Sequence, residues 1–445
     1  MTHADLRLDE LKALAERDDL RPFVERAVRL HPSDLADVLA ELDEALRVRV
    51  VAELPTEVAS RALAEMEQAE HPEEVLLAVG PDYAADLVEK LPADAAADII
   101  SELPLEDREA VLAEVADRDQ VEALLQYPED TAGGLMTPDV VTVRQDVTLA
   151  EALEQVRRQS GERDELYQIC VVDAQRRLLG ILPVARLVLG APTRRVAEVM
   201  EPAPAVVTPD RDQEEVARLM ARYNVAAVPV VDAAGRLLGQ VTFDDVIDVV
   251  EAETTEDLLK FGGVDPEENL AAGWREAVRS RLPWLYVNLL TAFFAGSVVY
   301  AFQSTISRVV ALAVWMPIIA GMGGNAGTQA LAVTVRRLAL ERVPRRRALA
   351  MVGKEAVVGA VNGLANGVVV AAVAALLGEG TMLGVVVLLA MWGNLVVAGF
   401  AGAFIPILLE RLRVDPAVAS SIFVTTFTDV CGFLLLLGLG TALLL

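Results

Sequence analysis

The strongest constraint on this chain is a change of character at Pro283. Beyond it, about five apolar stretches, at 283–306, 309–335, 348–377, 383–409 and 417–444, are each long enough to cross a hydrocarbon layer near 30 Å thick as a helix. Charge divides at the same place. The chain carries 66 acidic and 39 basic residues, a net charge of −27. About 60 of the acids and about 29 of the bases precede Pro283, so the front carries roughly −31 and the remainder roughly +4. A soluble acidic front and a membrane-embedded rear follow. Acidity of this degree argues against nucleic acid and suits cations.

Basic residues orient the spans. Arg275, Arg279 and Arg281 flank the first, "RRLALERVPRRR" separates the second and third, and "ERLRVD" separates the fourth and fifth. The opposite loops, "QSTISR" and "GEGTM", are nearly free of them. The positive-inside rule then places the N-terminus in the cytoplasm and the C-terminus outside, in a multi-pass protein of the cell membrane. The opening "MTHADLRLDELKALAERDDL" has no apolar signal-peptide core, so the front is expected to stay cytoplasmic. Cys170 and Cys431 fall in an expected strand and an expected membrane helix, as apolar fillers rather than a disulfide framework. His3, His31 and His71 have no zinc-like spacing.

Within a first region, residues 1–130, the stretch from His31 to Val115 repeats a short theme, as in "HPSDLADVLAEL", "GPDYAADLVEKL" and "LPADAAADIISEL". Proline stands at the first helical turn, acids follow it, and apolar residues then recur at helical spacing. This predicts an all-α array of short stacked helices. Residues 131–250 carry a different repeat. "LMTPDVVTVRQDVTLAEAL" and "VMEPAPAVVTPDRDQEEVARLM" each predict a short strand and an amphipathic helix. "CVVDAQRRLLGILPVARLV" and "PVVDAAGRLLGQVTFDDVIDVV" each predict strand, polar turn, strand and helix. The two α/β copies resemble a pair of CBS domains, which often bind adenine nucleotides through a Ser/Thr and an Asp after the last strand. The second copy matches with Thr242 and Asp245, a candidate ATP site. The first, reading "GILPVAR" from Gly180, lacks both. Residues 251–282 form a candidate connecting helix, and residues 283–445 the membrane domain.

Two features of the membrane domain demand explanation. Asp429 stands in the middle of the last span, where a carboxylate costs roughly 2.5–3.5 kcal/mol. Thr425 lies one helical turn before it. The second span holds "MPIIAGMGGNAGTQALAV", whose Pro317 and glycines are expected to break or kink the helix. Asn325, Thr328 and Gln329 add polar groups there. Five helices are few for a transport path but suit a homodimer with its pore on the two-fold axis. The membrane spans offer Asp429 no evident basic partner, since Lys354 stands beside Glu355, so a passing cation would offset its burial. Oxygen ligands favour a hard ion; the residues alone leave Mg²⁺, Ca²⁺, Mn²⁺ and Na⁺ open.

The acidic helical array, the CBS pair, the connecting helix and the spans carrying "GGNAGTQ" and "TDV" together resemble the MgtE family of magnesium channels and transporters, over nearly the whole chain. The resemblance implies a homodimer without enzymatic activity, conducting Mg²⁺ past Asp429. It also implies closure by cytosolic Mg²⁺ held on acidic faces. The matching residues are Asp245, Asp248, Glu253, Glu256 and Asp257, with Asp415 in the last loop, Asp94 and Asp98 in the helical array, and the loop around Gly134. Thr328 stands where members often carry Asn, and Met322 where Thr is common. Two like charges about 8 Å apart at an effective dielectric near 20 repel by about 2 kcal/mol. A switch from 1:99 to 99:1 needs about 5.5 kcal/mol, so a few bridged acid pairs suffice. Rival readings are a CBS-regulated carrier of another divalent cation, such as Co²⁺ or Mn²⁺, and a membrane-anchored nucleotide sensor.

Overall fold

The computed structural model describes residues 10–66, 70–116, 118–160, 166–264, 274–340, 344–412, 414 and 416–445. Two compact units emerge, Met1–Glu251 and Ala252–Leu445.

The first unit opens with short helices: α1 (Arg21–Ala27), α2 (Pro32–Ala40), α3 (Glu44–Glu53), α4 (Thr56–Ala64), α5 (Pro72–Val79), α6 (Pro81–Val88), α7 (Ala93–Ser101), α8 (Leu105–Glu114) and α9 (Arg118–Leu124). Proline sets most of their starts. Pro32, Pro72 and Pro81 begin α2, α5 and α6, while Pro55, Pro92 and Pro104 stand one residue earlier, at the N-caps of α4, α7 and α8. Either position spares proline's missing N–H. Each helix is too short to be stable alone and depends on burying its apolar stripe. Leu35, Leu39, Leu63, Leu76, Leu87 and Ile100 are all fully buried in one continuous core. Arg47 is buried with them. Its guanidinium donates to the carbonyls of Leu39, Ala40, Leu42 and Glu70, among them carbonyls at and just past the end of α2.

The duplication is visible in the next elements. The first copy has β1 (Thr142–Arg144), α10 (Leu149–Ser160), β2 (Ile169–Val172), β3 (Leu178–Leu182) and α11 (Val184–Leu189). The second has α12 (Gln213–Tyr223), β4 (Ala227–Val231) and β5 (Leu237–Thr242). β1 pairs parallel with β2, and β2 antiparallel with β3. In the second copy β4 and β5 are antiparallel, and the parallel pairing shrinks to one bridge, Val207 with Val230. The two hairpin turns correspond. Asp173 and Asp232 each accept backbone N–H groups two and four residues on. Each turn then needs a left-handed residue, Arg176 in one and Gly235 in the other. The amides of Leu178 and Leu237 reach across to Gly235 and Arg176, joining the hairpins about a local two-fold. The second copy shares the core of the helical array, whereas the first has its own. Cys170 is buried in β2, and both cysteines are free.

α13 (Phe243–Gly262) follows β5 directly. The membrane unit holds α14 (Trp274–Ala301), the short α15 (Gln303–Arg308), α16 (Ala311–Leu340), α17 (Arg345–Leu376), α18 (Thr381–Arg411) and α19 (Pro416–Leu444). Among the described residues four stretches are long and apolar enough to cross a membrane: Ala277–Ala301, Arg346–Leu376, Thr381–Arg411 and Ser421–Leu444. α16, the expected second span, has the length at 30 residues, but its glycine-rich polar stretch dilutes its apolarity. The expected break at Pro317 is not seen, and α16 is helical throughout. Proline removes one N–H, and close packing inside a bundle tolerates that within a long helix.

Glycine lets these helices approach. Gly359, Gly363 and Gly367 line α17 at four-residue spacing, against the backbone of α18 at Leu395, Trp392 and Leu388. Gly402 of α18 faces α16, where an added Cβ would stand 2.5 Å from the Gly327 carbonyl oxygen. Packing through small residues is the expected substitute for hydrophobic driving force in lipid.

Candidate functional site

The first unit brings three of the expected acids together. Asp94 and Asp98 lie one turn apart on α7, and Asp245 opens α13 just after β5. Asp94 accepts the Ala95 amide at 3.1 Å and a bond from the Thr137 hydroxyl. Burial nevertheless pushes its carboxyl above the usual range, with the charge of Asp139 adding. Asp98 rises to about 7, through crowding by protein first, then the charges of Asp94, Glu129 and Asp245. Asp245 also rises to about 7. Burial leads, the Thr242 hydroxyl opposes it by donating to Oδ2 at 2.6 Å, and the charges of Asp94 and Asp244 add. The charge of Asp94 raises both of the other carboxyls and that of Asp245 raises Asp98, a focus of negative potential that a cation would relieve.

Asp98 opens into a cavity of about 520 Å³, whose walls include Glu129, Asp130, Arg108 and Gly134. Gly134 permits the tight turn there, since a Cβ would stand 2.6 Å from the Pro128 carbonyl oxygen. Among the described residues no three His, Cys, Asp or Glu side chains close on a single point as a ready chelate. The donors are hard oxygens held apart, an arrangement suited to Mg²⁺ that keeps part of its water shell. Thr137 belongs to the loop around Gly134 that the resemblance sets against Asp94 and Asp98, whereas Glu129 and Asp139 escaped the sequence reading, because no periodic pattern distinguishes such polar linker residues.

The other expected regulatory acids are not gathered there. Asp248 is exposed on α13 and Glu253 half-buried farther along it. Glu256 pairs with Lys260 one turn on. The side chain of Asp257 and the whole of Asp415 lie outside the described residues. Thr242 and Asp245, the candidate nucleotide pair, are bonded to each other.

In the membrane unit, α16 and α19 meet along a seam of small groups. Gly323 and Gly327 face Thr428, and a Cβ on Gly327 would stand 2.5 Å from Val424. Thr428 is fully buried and donates back to the Thr425 carbonyl at 2.9 Å. Thr425 and Asp429 lie one residue round the helix from Val424 and Thr428, and both are half-buried. Asp429 has no hydrogen-bond or ion-pair partner among the described residues. Lys354 pairs with Glu355 at 3.1 Å, as the sequence suggests. Across the seam Asn325 and Gln329 are exposed and Thr328 half-buried, on the side of α16 away from Gly323, Gly327 and Ala330. Exposed amides at this depth are costly against lipid and belong beside water or protein. One polar residue of this region is absent from the sequence reading: Asn394, fully buried on α18. Its signal was available, as the one amide in the run "LLAMWGNLVVAG".

Known proteins match the chain in each of its parts. The MgtE divalent cation transporter family matches residues 316–439, the MgtE intracellular N domain residues 30–130, and CBS domains residues 132–189 and 196–252. A magnesium transporter MgtE of Bacillus subtilis is 33% identical across 99% of this chain and 98% of its own length. The chain belongs to the MgtE family. MgtE of Thermus thermophilus is 42% identical over 74% of this chain and 73% of its own. Among solved structures, the cytosolic domain of the Mg²⁺ channel MgtE in complex with ATP aligns over 54% of this chain and 99% of its own, at 38% identity and a TM-score of 0.50. This MgtE chain thus joins an acidic helical domain, a CBS pair and a helical membrane domain.

Proposed function

We propose that this MgtE chain is a Mg²⁺ channel or transporter that admits magnesium across the cell membrane and is closed by cytosolic Mg²⁺. Membership of the family, with relatives named as magnesium transporters, supports the transported ion. The carrying observation is Asp429, a carboxylate in the middle of a membrane helix with no partner among the described residues. Hydrated Mg²⁺ in transit supplies the missing charge, and Thr425, Asn325, Thr328 and Gln329 line its path. A homodimer that pairs two copies of Asp429 on its axis accounts for the exposed amides of α16, with the C-terminus outside. In organisation, residues 1–130 sense Mg²⁺, 131–250 couple the response, 251–282 connect and 283–445 conduct.

Mg²⁺ gathered at Asp94, Asp98 and Asp245, beside Gly134, relieves their repulsion and favours the closed state. Asp248, Glu253, Glu256, Asp257 and Asp415 extend this charge along the connecting segment. ATP is a second ligand. The ATP complex of the similar cytosolic domain supports a nucleotide at the second CBS copy, near Thr242 and Asp245. Asp429→Ala should insert normally and lose most Mg²⁺ uptake in liposomes at matched protein density. Uptake equal to the parent's would reject the pathway.

A further inference from the structure

Asn394 is fully buried near the middle of α18, where a polar side chain is rare and costly in a membrane helix. Its Nδ2 donates to the Ile319 carbonyl of α16 at 2.9 Å. Its Oδ1 is buried and has no partner among the described residues. An unmet buried acceptor lowers stability, so packing alone does not account for the amide. What asparagine supplies and leucine does not is a directional tie.

The surroundings are cut to fit that tie. On α16, a Cβ at Gly323 would collide with Nδ2. On α19, a Cβ at Gly432 would stand 2.8 Å from the same nitrogen. Thr428, neighbour of Asp429, borders the same Cβ-sized space at Gly323. One amide therefore touches all three helices at the level of the α16–α19 seam.

We propose that Asn394 is a positioning residue of the ion pathway. It fixes the rotation and spacing of α16 and α19, and thereby the geometry that Asp429 and Thr425 offer to a divalent cation. The inference rests on the reading of Asp429 as the pathway carboxylate. Asn394 does not touch the ion. It acts through Ile319, Gly323 and Gly432, and its effect is on discrimination between ions rather than on folding.

The test uses the full chain in liposomes, reading the half-saturating Mg²⁺ concentration and the Co²⁺ concentration that halves Mg²⁺ uptake. Asn394→Leu keeps the branching and removes the donor. Gly323→Ala leaves Asn394 in place and displaces its Nδ2. Both variants should move the ratio of the two concentrations in the same direction, by about fivefold to tenfold, the equilibrium factor of one net hydrogen bond. Gly438→Ala, on α19 with open space around it, should leave the ratio unchanged. A ratio equal to the parent's in both variants, with only the maximal rate tracking folded protein, would reduce Asn394 to packing and overturn the proposal. If Asn394→Leu does not fold, Gly323→Ala alone decides on the same criterion. Asp429→Ala runs alongside. Parental uptake by that variant removes the pathway reading and this inference with it, whereas loss of uptake with an unmoved ratio removes this inference alone.

Discussion

Lowering the pH from 8 to 6 should weaken Mg²⁺ binding to the cytosolic acid cluster by about tenfold to a hundredfold. Asp98 and Asp245 both titrate at about 7. Each is then about nine-tenths ionised at pH 8 and about one-tenth at pH 6. Mg²⁺ binds the carboxylate, so one obligatory group gives a factor of about 10 and two give about 100. The metal-free protein should show the opposite face of the same linkage. Burial at Asp245, and protein crowding with like charges at the solvent-open Asp98, raise both carboxyls in the folded state, which therefore holds protons that the unfolded chain releases above about pH 4. Their contribution is fully present below that pH and lost as pH rises to about 7. For Asp245 the loss is at most on the order of 4 kcal/mol. It is smaller for Asp98, which reaches water through the cavity and is screened. Mg²⁺ should restore stability only where the carboxylates are ionised. Thermal unfolding of the full chain in detergent, titrated with Mg²⁺ at pH 6 and pH 8, reads both effects. Asp245→Asn keeps the acceptor for Thr242 and should remove about tenfold of the pH shift. A Mg²⁺ midpoint independent of pH, or one that shifts as much in Asp245→Asn as in the parent, would refute the cluster as the sensing site.

Two further outcomes follow from other parts of the chain. Arg47→Leu removes the side-chain donor from the Ala40, Leu42 and Glu70 carbonyls, Leu39 keeping a backbone one, and should destabilise the helical array by about 3 kcal/mol, measured by denaturant unfolding of the full chain. The triple change Glu253→Gln, Glu256→Gln and Asp257→Asn should give a shallower, right-shifted inhibition of conduction by cytosolic Mg²⁺ in excised patches, and a curve superimposable on the parent's would return these acids to a solvated helix face.

The sequence was legible where a physical requirement leaves a periodic trace. Proline at helix starts, apolar residues at helical spacing and the paired "VVDA" turns each record a local constraint, and the structure has the helices and hairpins they imply. Long apolar runs record the bilayer in the same way. What escaped depends on contacts between elements distant in sequence. Asp139 matters only because its segment lies against α7, and Glu129 because it charges the space that Asp98 opens into. The continuity of α16 was hidden for a related reason. Pro317 and the glycines after it read as breakers in isolation, yet Gly323 and Gly327 are points at which α18 and α19 occupy the space of a missing Cβ. Asn394 combines both effects. Its amide is legible as an anomaly in an apolar run, but its meaning lies in the two missing Cβ atoms opposite it, on helices some 70 residues before and 40 residues after. A buried polar group in a membrane helix thus identifies a site to examine. The glycines around it then separate a tolerated passenger from a fitted joint, because a passenger would not need its neighbours trimmed to the backbone.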